Sequence, residues 1–171
     1  MTQDADRGHE AAENEGPEPR ILPMAAPRAT LLRDVLESII EAVPAGDASP
    51  AGRVRVTLDV PAAQVVDVDP DMFRSVVEGL VRAAFSAAVR PVVAGAPIAV
   101  REVVVTSIDA ADALELEIAD SGSGPPDAAA LAAARAAILG LGGDVTVTQC
   151  PEGGTAVTLR LSRRAVRRKA A

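Results

Sequence analysis

The sequence predicts an α/β fold: a two-layer sandwich in which a mixed, mostly antiparallel sheet of five or six strands is covered on one face by three helices. Three segments repeat apolar residues at helical spacing, and five or six short segments alternate apolar and polar residues with the period of a strand. These segments follow one another as helix, strand, helix, hairpin, helix, hairpin. Hairpins pair neighbouring strands antiparallel, and helices interleaved with them can cover one face of the sheet.

The domain is predicted to span residues 27–162, between two charged tails. Residues 1–22 are predicted to be a disordered acidic tail, because they lack a hydrophobic period and because residues 1–20 alone contain six acids and two bases. Residues 163–171 form a basic C-terminal tail with five bases and no acid. The body between the tails is acidic, and the whole chain has a net charge of -7.

Composition excludes several classes of function. An acidic body whose only aromatic residues are Phe73 and Phe85 offers neither phosphate attraction nor base stacking, so no nucleic-acid partner is expected. Cys150 is the only cysteine, which rules out an internal disulfide and fits a reducing compartment. No apolar run has the length of a membrane span, and we expect a cytoplasmic protein.

The first elements are a helix and two strands. Thr30 is predicted to cap the helix and Pro44 to end it. Its apolar face consists of Leu32, Val35, Leu36, Ile39, Ile40 and Val43. Strict alternation over residues 54–60 predicts a half-buried strand, and residues 65–68 add a short second strand.

A second helix and a hairpin follow. Asp69 and Pro70 form a strong helix start, with a capping carboxylate followed by proline at the first helical position. The apolar face of this helix continues to about Val89. Alternation over residues 103–107 and 114–118, around the polar turn 109–112, then predicts two antiparallel strands.

A third helix and a final hairpin complete the predicted domain. The helix begins after residues 125–127, is rich in alanine over residues 128–137, and ends at Gly142 and Gly143. Strands around residues 145–147 and 157–161 are joined by a glycine turn at residues 151–154.

The stretch Leu114 to Gly124 carries the candidate site. Its alternating strand delivers Asp120 to the end of a sheet, where Gly122 and Gly124 permit a close backbone turn. A carboxylate at that depth can accept a hydrogen bond from an exocyclic amine such as that of adenine. The alternative is an ordinary Asp-Ser-Gly turn that only ends a strand.

Several short motifs, in this order, resemble the ATP-binding catalytic domain of histidine kinases, within the GHKL group that also contains gyrase, chaperone and mismatch-repair ATPases. The helix D-P-D-M-F-R-S-V-V-E-G-L-V-R-A-A is similar to the one that carries the family's asparagine box. The family's first glycine box is similar to the motif D-S-G-S-G. Its closing helix end and hairpin are similar to L-G-G-D-V-T-V followed by P-E-G-G-T-A-V-T-L-R-L. The resemblance covers about residues 30–162.

The resemblance implies a nucleotide site. Asp120 would contact the adenine amine, Gly122 and Gly124 would shape the base pocket, and Thr155 would lie near the base. ATP or ADP is therefore the implied ligand, bound weakly at most.

The sequence departs from the family's pattern in two places, both in the part of the nucleotide site that would hold the phosphates. Where the family has two asparagines on the second helix, the second of which binds Mg²⁺, this chain has Gly79 and Ala83; Glu78 is the nearest carboxylate and lies one position off. The mobile lid and second glycine box are replaced by two prolines and Asp127, a negative charge at the start of the third helix. We therefore expect neither Mg²⁺ binding nor catalytic residues, and no autonomous kinase activity.

Three hypotheses of function remain at this stage. The first is a degenerate, stand-alone histidine kinase-like domain that binds a signalling protein, such as a kinase, a receiver domain or a sigma-type regulator. The second is an ATP-binding subunit of a histidine kinase or an anti-sigma serine kinase whose metal site is completed by a partner or by Glu78. The third is a dimerisation scaffold without ligand.

Overall fold

The computed structural model describes residues 28–43, 54–90, 101–123, 125–151 and 153–162, and the tails predicted for residues 1–22 and 163–171 lie outside these ranges. Within them the chain forms three helices and seven strands. In order these are β1 (Arg28–Leu31), α1 (Leu32–Ala42), β2 (Arg55–Asp59), β3 (Val65–Val68), α2 (Pro70–Val89), β4 (Glu102–Asp109), β5 (Ala113–Asp120), α3 (Ala128–Gly140), β6 (Asp144–Gln149) and β7 (Thr155–Ser162).

The main sheet has five strands in the order β2-β4-β5-β7-β6. Both predicted hairpins are present, as the antiparallel pairs β4–β5 and β6–β7, and β5 pairs antiparallel with β7. The pair β2–β4 is parallel, because β3 and α2 carry the chain back between them. The sheet is thus mixed and mostly antiparallel, as the sequence predicts.

The core lies between one face of this sheet and the helices. Along β5, Leu116 and Ile118 are buried against the helices, whereas Glu115 and Glu117 alternate onto the opposite face. The largest fully buried side chains come from all three helices and the central strands: Phe73, Leu36, Leu116, Ile118, Ile138 and Leu159. This arrangement confirms the predicted two-layer α/β sandwich.

Two helix starts show where local sequence signals decide the structure. The Asp69 carboxylate accepts hydrogen bonds from the backbone N–H groups of Asp71 and Met72, at 3.1 and 2.9 Å, and caps α2 as predicted. The predicted cap at Thr30 is wrong. Thr30 lies in β1, opposite Val66 of β3, and α1 begins at Leu32 without a side-chain cap.

The small sheet β1–β3 explains this difference. Its four antiparallel residue pairs run from Arg28 opposite Val68 to Leu31 opposite Val65, and it is separate from the main sheet. The first helical N–H, that of Leu32, donates to the Gln64 carbonyl at 2.9 Å. A backbone group from a distant turn therefore satisfies the donor that a capping side chain would otherwise satisfy.

Candidate functional site

Three strand ends of the main sheet bring polar side chains into one row. β5 ends at Asp120, β7 begins directly opposite at Thr155, and β6 ends opposite Thr155 at Gln149. The Gln149 side-chain amide donates to the Thr155 hydroxyl at 3.3 Å. Because Thr155 is only 2% exposed, its hydroxyl lies inside the protein.

Asp120 places a half-buried carboxylate beside Thr155. Its Oδ1 accepts a hydrogen bond from the Gly122 backbone N–H at 2.7 Å, and the Thr155 backbone N–H donates to the same carboxylate. Burial raises the pKa of the Asp120 carboxyl above its usual value, while these two N–H groups and the positive charge of Arg90 act in the opposite direction. The folded protein therefore holds this proton more tightly than the unfolded chain does.

Two glycines allow the backbone around Asp120 to pack closely. Gly154 has a φ of +93°, and a Cβ there would lie 2.8 Å from the Asp120 carbonyl carbon and closer still to its oxygen. A Cβ on Gly122 would lie 2.8 Å from the Ala87 Cβ and closer still to the Ala87 carbonyl group. The turn that follows β5 therefore rests directly on α2.

A small cleft opens between α2, the ends of β5 and β7, and the start of α3. Its polar lining groups are Asp120, Thr155 and Asp127. Its walls are mainly aliphatic and include Leu80, Ala83, Ala84, Ile118, Leu131 and Val157. The space that the centre of a water molecule can occupy in it is about 20 Å³, which is enough for about one ordered water.

The carboxylates of α2 and α3 nearest to this cleft are engaged within the protein. Glu78 accepts from the Arg82 guanidinium one turn along α2, at 2.7 Å. Asp127 accepts from the Ala130 backbone N–H at 2.8 Å and caps α3. Among the described residues, no three His, Cys, Asp or Glu side chains come together in a way that could hold a metal ion.

Solved structures of histidine kinases share this architecture. The histidine kinase AdeS of Acinetobacter baumannii superposes with a TM-score of 0.64 at 17% identity, over 82% of this chain and 68% of that one. The nucleotide-free catalytic domain of the histidine kinase ThkA superposes with a TM-score of 0.66 at 13% identity, over 81% and 98% of the two chains. The cytoplasmic segment of the histidine kinase QseC superposes with a TM-score of 0.58 at 18% identity, over 79% of this chain and 77% of that one. No protein-family profile and no curated protein sequence matches this chain.

The chain has the fold of a histidine kinase catalytic domain. This confirms the resemblance found in the sequence motifs. None of the helices in the described part of the chain combines the length and apolar character that crossing a bilayer requires.

Within this histidine kinase-like fold, three of the four predicted site residues come together. Asp120, Gly122 and Thr155 meet at the same strand ends, while Gly124 lies outside the described residues. Sequence reasoning missed Ala87, which supports Gly122, and Gln149, which contacts Thr155. Ala87 does continue the helical spacing of Leu80, a signal that could have placed it on the inner face of α2.

The pH dependence of stability tests the environment of Asp120. Since the raised pKa means that the folded state binds the proton more tightly, this stabilisation is complete below about pH 4 and is lost as the pH rises through the folded pKa. Asp120→Asn keeps an acceptor oxygen but does not titrate. We expect the unfolding free energy of the variant, relative to wild type, to rise between pH 4 and neutrality in urea titrations. A difference that falls or stays constant with pH would contradict the assignment.

Proposed function

We propose that this chain is a degenerate histidine kinase-like domain that acts as a binding or adaptor module in two-component-type signalling. The observation that carries the proposal is the cleft beside Asp120 and Thr155, which α2 lines with Ala83, where the resemblance expects an asparagine, and which Asp127 lines at the start of α3. The fold supports a place among kinase-like signalling domains. The alanine lining from α2 and the capping of α3 by Asp127 support a role in which nucleotide chemistry has been lost.

The side chains along α2 support this degeneracy. Gly79 and Ala83 stand where the resemblance expects asparagines, and neither has an oxygen that could bind Mg²⁺. Ala83 contributes its methyl group to the cleft wall instead. Glu78, the one nearby carboxylate on this helix, already pairs with Arg82. A metal site would therefore require an oxygen ligand from elsewhere.

The start of α3 supports the same conclusion. A helix N-terminus binds phosphate through free N–H groups and its positive dipole end. Here the Asp127 carboxylate accepts one of these N–H groups and places a negative charge at that end. Phosphoryl transfer depends on positioned, neutralised phosphates, so we propose no autonomous kinase or ATPase activity.

The part of the cleft that would hold adenine keeps the polar groups that the resemblance implies. The Asp120 carboxylate and the Thr155 hydroxyl line the cleft side by side, as an acceptor and a donor for one edge of a base. Gly122 packs against Ala87, which lines the cleft, so a base that displaced this turn would lose binding energy to the movement. We therefore propose that ATP or ADP binds weakly at most and independently of Mg²⁺.

The proposed partner is a protein of a signalling pathway, such as a kinase, a receiver domain or a sigma-type regulator, in the cytoplasm. The net charge of -7 and the two phenylalanines that are the only aromatic residues argue against nucleic acid. A weakened ligand site on an intact fold is consistent with selection for protein contacts.

Calorimetric titration with ADP and with a non-hydrolysable ATP analogue, each with and without Mg²⁺, tests this function. We expect dissociation constants of about 1 mM or weaker that change less than about twofold with Mg²⁺ or with the third phosphate, because Gly79 and Ala83 supply no metal ligand and the Asp127 carboxylate occupies the N-terminus of α3. Binding strengthened about tenfold or more by Mg²⁺ would overturn the proposal and favour the ATP-binding kinase subunit.

Matched substitutions on α2 show whether any binding that is found uses this cleft. Ala83→Leu adds bulk to the wall of the cleft, whereas Ser86→Leu places the same leucine side chain on the exposed side of the helix. We expect only Ala83→Leu to abolish nucleotide binding. Equal effects would place the nucleotide elsewhere.

A further inference from the structure

The sheet face opposite the helices carries an acidic and apolar patch at one end. Ile108 on β4 is 62% exposed, and Glu115 of β5 lies directly across from it. Asp112, in the turn that joins these two strands, has 68% of its side chain exposed. We call these three residues the acidic sheet end. In the described part of the chain no helix covers this face.

The acidic sheet end already binds one guanidinium group. Arg160 of β7 pairs with Asp112 at 2.9 Å through Nη2 and with Glu115 at 3.2 Å through Nε. Each carboxylate can accept up to about four hydrogen bonds. Both therefore keep capacity for further basic groups that approach from solvent.

The chain leaves the described fold beside this patch. β7 ends at Ser162, opposite Ala113, and residues 163–171 (R-R-A-V-R-R-K-A-A) continue from there. Two strand spacings and two residue steps separate Ser162 from Ile108, a distance of about 12 Å. Val166 is four residues beyond Ser162, and four residues span up to about 13 Å. This apolar residue can therefore reach Ile108.

We propose that residues 163–171 dock in cis on the acidic sheet end. Val166 packs on Ile108, and the arginines that flank Val166 share Asp112 and Glu115 with Arg160. The tail has five bases and the patch two carboxylates for one arginine, so charge and apolar surface are complementary. Docking removes Ile108 from water and keeps the basic tail bound. An acidic partner must then compete with the acidic sheet end before it can bind the tail.

Zero-length carbodiimide coupling of the full chain tests this contact, because Lys169 is the only lysine. Docking predicts that peptide mapping finds Lys169 joined within one chain to Asp112 or Glu115. Coupling to the acids of residues 1–20, coupling between two chains, or no coupling to the acidic sheet end would each overturn the proposal.

Limited trypsin cleavage at the tail arginines gives a second readout. The docked tail is expected to be cut about fivefold more slowly than in the double variant Asp112→Asn, Glu115→Gln, since two or three exposed ion pairs shift a docking equilibrium by roughly that factor. Asp59→Asn removes an exposed acid from the edge strand β2 and is expected to leave the rate unchanged. Equal cleavage in wild type and the double variant would contradict docking.

Discussion

Gly154→Ala is expected to lower the free energy of unfolding by about 4 kcal/mol, from backbone strain and overpacking together. The φ of +93° alone costs a residue with a Cβ about 1–3 kcal/mol. The new Cβ also has to displace the Asp120 backbone, since it would lie 2.8 Å from that carbonyl carbon. Overpacking of this kind adds about 1–3 kcal/mol. Urea unfolding measures the sum.

Gly153→Ala is the matched control. Gly153 has nearly the same conformation, with a φ of +96°, but a Cβ there would meet nothing within 4 Å. This variant is expected to lose about 1–2 kcal/mol, from conformation alone. The difference between the two variants then measures the contact with the Asp120 backbone. If both lost the same stability, β5 and β7 would not be held together in the way described.

Gly122→Ala is the second large effect, with an expected loss of about 2 kcal/mol in the free energy of unfolding. Its Cβ would enter the space of the Ala87 carbonyl group, so the turn after Asp120 must move off α2. Because Ala87 also lines the cleft, this movement changes the cleft wall, and nucleotide affinity is expected to rise while stability falls. Urea unfolding and the calorimetric titration check the two effects on the same preparation.

Gly79→Ala is a control that is expected to raise the free energy of unfolding rather than lower it. Gly79 lies inside α2, and a Cβ there meets nothing within 4 Å. Alanine is expected to stabilise this helix by about 0.5–1 kcal/mol, because glycine loses more conformational freedom on folding. A destabilised Gly79→Ala variant would show that the space beside α2 is occupied.

The helices and strands whose apolar residues repeat regularly along the chain could be predicted from the sequence. Asp69 and Pro70 start α2, and the alternation of β5 places Asp120 at its end, as the sequence indicates. β1 was not predicted, because Thr30 has the character of a helix cap and because the partner strand β3 lies beyond α1 in the chain.

Spacing along single segments indicates which residues end the strands and which face of each helix is apolar. The end of the alternating strand therefore indicated a site at Asp120 and Gly122, and the resemblance to histidine kinases added Thr155. Only the tertiary structure decided how much space that site contains. The contact between Gly122 and Ala87, and the pairing of Asp120 with Thr155, join segments that are distant in sequence. The size of the cleft results from how closely those segments pack, and no local pattern encodes that distance.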